Sequence, residues 1–348
     1  MTEATVEDQQ PAISAGVDDL AAGRASSGRR GLLFAMRNAL PLGFIAIIVL
    51  FVALGAPNFL SVGNASDILR LSAPVMVVAV PMAFLLIMGH VDLSVGSSVA
   101  LSAVVIGLLI TDLGVPPIVA MVGGVGVCAL VGLVNAILVT RLGLSPIIVT
   151  LAMLTAIRGL ALMLAPANIY GFFPDELSSL SYTGLFGFPY FGMVAIVVVV
   201  VGGFFLALAP VGRHALAIGV NEEAAFLSGI KVHRTISAAY VVTAAMAGVA
   251  GVMYAMLLNS APSGTLGLLF ELDVLIAVLL GGVAFNGGRG TIKGVVLGTL
   301  FLAVLQNGLI LLNVPTSAAF VIKGGALVLA AILDRMTLRA MSLEKSRR

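Results

Sequence analysis

Residues 117–139 read PIVAMVGGVGVCALVGLVNAILV, a run with no charged side chain and no alternation of polar with apolar positions. At 1.5 Å per residue a helix of that length reaches about 34 Å, enough to cross a hydrocarbon core of about 30 Å. A barrel strand needs only about ten residues and shows a period of two. The backbone groups of this run must therefore be satisfied within a helix. Working outward, comparable stretches occur at 39–56, 72–88, 98–111, 145–165, 191–209, 236–258, 271–285, 294–312 and 318–333. The expectation is an all-α, polytopic transmembrane bundle of about ten spans. Pro81, Gly123, Gly124, Gly126, Gly132, Gly248 and Gly251 fall inside spans, as close helix packing or kinking in lipid allows.

Composition excludes a water-soluble fold. Hydrophobic residues make up 60% of the 348 and charged residues 10%, with a mean hydropathy of +1.16, whereas a soluble domain is about 25% charged. Cys128 stands alone, which rules out an internal disulfide or a cysteine metal cluster. His90, His214 and His233 are scattered and form no metal-binding or catalytic spacing.

The placement of charge carries more than its near-neutral sum. Residues 1–38 are rich in Ala, Ser, Gly and acids, then basic at Arg24, Arg29, Arg30 and Arg37, and are expected to form a disordered cytoplasmic tail. Their length, and that of the run after them, disfavour a cleaved signal peptide. With this tail inside, the inner segments hold 15 of the 18 Lys and Arg residues and the outer loops only Arg70; Arg158 and Lys323 fall within spans. Such a bias predicts an even number of crossings with both termini in the cytoplasm. The expected division is a tail at 1–38, a transmembrane domain at 39–334 and a basic cytoplasmic tail at 335–348. Eight spans pass the same charge test.

Five groups of residues invite a functional reading. The loop 210–235 contains Asn221, a helix N-cap, then Glu222 and Glu223 at the positive end of the helix dipole, and Gly229 as a left-handed stop. The short helix so defined carries Ala224, Ala225, Phe226 and Leu227 as an apolar face before Ser228. That face suits either a protein partner or lipid headgroups. In MGHVDLSVGSS (88–98), Asp92 and Ser94 join two spans; Asp92 either caps the second or lines a translocation path. GGVAFNGGRGT (281–291) echoes this junction and hints at an internal repeat. Arg158, Glu271, Asp273 and Lys323 lie toward the outer ends of spans, where they either pair across the bundle or gate its mouth. Asn135, Gln306 and Asn307 are further polar groups within spans, able to bind helices together or to meet a solute.

The chain contains no phosphate loop of the G-x-x-x-x-G-K-[ST] type, and no cytoplasmic segment is long enough for a nucleotide-binding domain. If ATP drives it, another chain hydrolyses the ATP.

Five stretches in order resemble the ribose-type permease family of ATP-binding cassette importers. They are GHVDLSVGS (89–97), SPIIVTLAMLTAIRGLA (145–161), GRHALAIGVNEEAAFLSGIKV (212–232), ELDVLIAVLLGGVAFNGGRGTIKG (271–294) and QNGLILL (306–312). The resemblance implies a non-enzymatic inner-membrane subunit that dimerises, with itself or a paralogue, within membrane lipid and moves a monosaccharide by alternating access. It implies a cytoplasmic ATPase partner that binds ATP and Mg, no cofactor or metal in this chain, and an extracytoplasmic sugar-binding protein. No role for nucleic acid follows. On this reading Asn221 to Gly229 is the coupling helix, and Asp92, Ser94, Asn135, Arg158, Glu271, Asp273 and Asn307 are candidates for the path or gate. His90, Val220 and Leu268 to Phe270 depart from the family pattern. The alternatives are a permease of the same class for nucleosides or branched-chain amino acids, and an ion-coupled secondary transporter built on Asp92.

Overall fold

A computed structural model describes residues 39–315, 317–326 and 328. The expected tails at 1–38 and 335–348 lie outside the described residues, as does the end of the last expected span. In chain order the helices are α1 (Ala39–Ala53), α2 (Val62–Ile87), α3 (Val95–Thr111), α4 (Pro117–Thr140), α5 (Pro146–Leu164), α6 (Asp175–Ser179), α7 (Tyr190–Ala207), α8 (Pro210–Val220), α9 (Glu222–Leu227), α10 (Val232–Leu258), α11 (Phe270–Leu280) and α12 (Ile292–Leu311). A further helix, α13, runs over 317–326. Six of these are long and apolar enough to cross a membrane: α2, α4, α5, α7, α10 and α12. Shorter apolar helices occupy Leu40–Ala53 and Val95–Thr111.

Three elements differ from the sequence expectation. α2 begins at Val62, not 72, because Ser61 caps it by accepting from the Asn64 N–H at 3.1 Å. The stretch 271–285 is helical only to Leu280; Gly281 closes the helix and Gly282 turns left-handed at φ +79°. α11 is therefore 11 residues long, about 16 Å, or half a membrane. Residues 210–220, expected as loop, form α8 behind a proline in its first turn.

α10 is the axis, packed against α2, α3 and α4. Small residues permit that closeness. A side chain on Gly132 would meet the Tyr240 carbonyl at 2.7 Å, and one on Gly248 would meet the Val125 backbone at 2.8 Å. Gly251 abuts α3 at Ser102, whose hydroxyl donates to the Gly248 carbonyl at 2.9 Å. Contacts at such distance exchange the weak lipid-facing packing of small residues for dispersion and hydrogen bonds between helices. Elsewhere α5 packs on α3 and α4, whereas α7 packs on α2 and α12.

Two ends can be told apart. At one, β1 (Ile169–Tyr170) pairs antiparallel with β4 (Ser260–Ala261), and β2 (Gly184–Leu185) with β3 (Phe188–Pro189). The Tyr182 hydroxyl there donates to the Leu257 carbonyl, and Arg70 lies over the Tyr182 ring. At the other end are α8, α9 and the 281–291 loop. The Gly288 N–H donates to the Ile87 carbonyl at 2.8 Å, and Gly219 of α8 presses on the same carbonyl.

The start of α3 lies at neither end. Gly107, eleven residues beyond Gly96, abuts Ile169 and Phe172 of the hairpin end, so Gly96 lies about 16 Å deeper. Gly96 in turn touches the Gly267 carbonyl and the Glu271 carboxylate. The segment after β4 thus descends into the bundle, and α3 and α11 begin side by side within it.

These packing distances predict opposite signs for one substitution. Gly132→Ala should lower the unfolding midpoint in detergent, by about 1–3 kcal/mol of overpacking. Gly126→Ala, with nothing within 4 Å, should leave it unchanged or raise it by up to about 1 kcal/mol through helix propensity.

Candidate functional site

Residues 88–94 leave the end of α2 and return to start α3 inside the bundle. Gly89, at φ +79°, makes the turn. Asp92 is fully buried. Its Oδ1 accepts from the Ser94 N–H at 2.9 Å and from the Ser94 hydroxyl at 2.6 Å. Asn135 Nδ2 reaches Asp92 Oδ1 and Oδ2 at 3.3 and 3.2 Å and Ser94 Oγ at 3.0 Å. The Ser94 carbonyl accepts from the hydroxyls of Ser97 and Ser98. Asp92 makes no ion pair among the described residues, so these donors are what offsets its removal from water. The carboxylate accepts the backbone N–H two residues on, an Asx turn just ahead of α3, whose N-cap residue Ser94 makes no side-chain cap hydrogen bond.

Tyr240 completes the enclosure and had no local signal in the sequence. Its hydroxyl donates to the Val91 carbonyl at 3.2 Å and lies 3.4 Å from His90 Nδ1, with the two rings edge to face. Asn135 from α4 and Tyr240 from α10 thus clamp one loop from two sides.

A second polar group lies where α5, α11 and α13 approach. Lys323 Nζ donates to Asp273 Oδ2 at 2.8 Å, with both side chains largely buried. Pairing across the bundle, expected for four charges, is direct for these two. Arg158 instead gives Nη1 to the carbonyls of Ser263 and Leu266, at 3.1 and 2.6 Å, and acts on Glu271 electrostatically. It holds the descending 262–269 segment against α5, as does the Ser263 hydroxyl through the Ala165 carbonyl at 2.7 Å. Asn307 is elsewhere: it donates to Asn64 Oδ1 at 2.9 Å, and Asn64 to the Phe59 carbonyl at 2.8 Å, which ties α12 to the first turn of α2.

The third group is α9 with its caps. Asn221 Oδ1 accepts from the Ala224 N–H at 2.9 Å. Gly229, at φ +84°, ends the helix; its N–H and that of Ile230 return to the Phe226 and Ala225 carbonyls. The Ser228 hydroxyl donates to the Ala224 carbonyl. Glu222 and Glu223 occupy the first turn and are exposed. One expectation needs correction. Ala225 is not on the outward face: it is 4% exposed, whereas Phe226 and Leu227 are 62% and 78% exposed. Consecutive helical residues lie about 100° apart, so four in a row spread around the helix and cannot share one face. Glu222, Glu223, Phe226, Val232 and His233 border a hollow of about 330 Å³ beside it.

Residues 64–331 match the family described as "Branched-chain amino acid transport system / permease component". The chain belongs to that permease family. It is 38% identical over 294 residues to the L-arabinose ABC transporter permease protein AraH of Azospirillum brasilense, covering 84% of this chain and 86% of the relative. It is 36% identical over 292 residues to the ribose import permease protein RbsC of Bacillus subtilis (strain 168), at 83% and 90% coverage. The D-allose transport system permease protein AlsC of Escherichia coli (strain K12) is 33% identical over 293 residues, at 83% and 89%. No solved structure matches the chain. This permease is thus a multi-pass membrane protein and a transport component.

The Asp92 network yields a test. Asn135→Ala removes the donor that serves both carboxylate oxygens and should destabilise the permease by about 2–3 kcal/mol, the cost of stranding a buried charge. Adding Asp92→Asn should restore part of that loss. Thermal unfolding in mild detergent measures both; a wild-type midpoint for the single variant contradicts the assigned clamp.

Proposed function

We propose that this permease is the membrane-spanning subunit of an ATP-binding cassette importer that carries a monosaccharide into the cytoplasm. The observation that carries the reading is α9: a doubly capped helix that leaves Phe226 and Leu227 exposed, on a chain with no nucleotide-binding loop. Capping fixes the helix without a partner, and the exposed face is then ready to receive one. In this reading a cytoplasmic ATPase, loaded with ATP and Mg, grips Glu222, Glu223, Phe226 and Leu227. Asn221, Ala224, Ala225, Ser228 and Gly229 keep the helix in shape, Ala225 by anchoring it inward.

The α8 end faces the cytoplasm, with both termini there and about ten crossings in all. Supporting this, Arg213, Lys231, Arg234, Arg289 and Lys293 belong to that end, while the hairpin end carries Arg70 with Asp67, Asp175 and Glu176. A sugar-binding protein delivers solute to the hairpin end of the inner-membrane complex. A second permease, identical or paralogous, packs against α5, whose Ile148, Leu151 and Met163 are exposed. The solute passes by Arg158, Glu271 and Asp273, which are only partly buried. Asp92, Ser94, Asn135 and Asn307 belong to the framework. ATP binding and release move the coupling helices and open the pair to one side and then the other.

The solute is argued from the relatives, named for arabinose, ribose and allose. The family description favours a second class, branched-chain amino acids, and uptake assays separate the two. Membranes holding the full importer should accumulate a labelled pentose or hexose, ATP-dependently and regardless of ionophore. Accumulation of leucine but no sugar selects the second class, and uptake abolished by ionophore yet indifferent to ATP depletion defeats the importer reading. Phe226→Asp should cut ATPase co-purification by about 30-fold or more, as loss of an aromatic anchor does, while membrane insertion persists.

A further inference from the structure

A cavity of about 940 Å³ opens sideways between α7 and α10, floored by α2 and closed at one end by α8. Val80 and Phe84 of α2, Val201 and Phe205 of α7, and Val242 and Met246 of α10 wall it. Val201, Phe205 and Val242 are exposed. Only at the α8 end does the lining become basic, at Lys231 and Arg234 with His214 beside them. No acid lines the cavity, and neither cation makes an ion pair among the described residues.

The dimensions select the occupant. From Arg234 to Met246 is twelve residues of α10, about 18 Å along the helix. One leaflet of hydrocarbon is about 15 Å deep. The groove is therefore one leaflet long, apolar along its length and cationic at the end where a headgroup would lie. A polar solute finds hydrogen-bonding side chains only at the α8 end, where Ser228, Thr235 and the cations lie, and none along the rest of the walls. A protein helix would satisfy the walls but would need an acid at one end for Lys231 and Arg234. A lipid with a negative headgroup supplies both parts at the required spacing. We propose that the groove between α7 and α10 holds an anionic phospholipid, with acyl chains against the Val and Phe walls and its phosphate between Lys231 and Arg234. That the leaflet is the cytoplasmic one rests on the orientation given above.

The test uses the full chain, purified in mild detergent and equilibrated with equal amounts of phosphatidylglycerol and phosphatidylcholine, with bound lipid counted by native mass spectrometry. Each basic side chain at an anionic surface is worth about a fivefold preference, so wild type should retain phosphatidylglycerol over phosphatidylcholine by about tenfold or more. Lys231→Ala with Arg234→Ala should bring the two lipids level. Val201→Trp should reduce retention of both, because it fills the acyl site and leaves the cations. Equal retention by wild type, or a preference that survives the double variant, overturns the proposal, as does efficient disulfide cross-linking of two copies through Val201→Cys in native membranes. Orientation is read separately from Leu142→Cys, in the exposed turn after α4 at the same end and outside the ATPase contact. Labelling by an impermeant thiol reagent in inverted vesicles supports the cytoplasmic leaflet; labelling in intact cells overturns the leaflet and the orientation while the lipid preference stands.

Discussion

Two helices of this permease begin inside an apolar bundle, and much of the remaining structure follows from that constraint. A helix start presents N–H groups without intrahelical acceptors, and lipid provides none. At α3 two carboxylates gather around the start, although its N-cap residue, Ser94, makes no side-chain cap hydrogen bond. Asp92 accepts the Ser94 N–H, and Glu271 from the first turn of α11 rests against Gly96. Only glycine allows that approach, since any side chain at position 96 would occupy the Glu271 carboxylate. Two acids near one helix start are tolerable because the dipole is positive there and because Asn135, Ser94 and Arg158 surround them.

The same constraint explains where stiffness is concentrated. Asn135 and Tyr240 reach one loop from α4 and α10, the two helices that Gly132 and Gly248 bring into closest contact. The buried polar groups are thus held by the most tightly packed interface. The Arg158 and Asp273–Lys323 contacts secure the other edges, where the descending segment meets α5 and where α13 meets α11.

Much of this was legible from residue order, and the failures have physical causes. α4, α5 and α10 were readable because uninterrupted apolar runs of membrane length have few competing structures. The caps of α9 were readable because Asn221 and Gly229 act within a few residues of themselves. The direction of Ala225 was not, since which side of so short a helix is covered depends on neighbours remote in sequence. α11 was overextended because Val283 and Ala284 continue the hydropathy past the Gly281 and Gly282 stop. Tyr240, 150 residues from His90, carries no mark in a hydropathy profile, and Arg158 looks like half of an ion pair until its carbonyl partners are seen. Charge in lipid announces that a partner exists without saying which.

The Ile87 carbonyl at the end of α2 receives the Gly288 N–H while Gly219 of α8 presses against it. One oxygen atom therefore fastens three separate stretches of chain into a single foot. A displacement of α8 is thus shared with the end of α2 and with the turn between α11 and α12, since all three meet at that carbonyl.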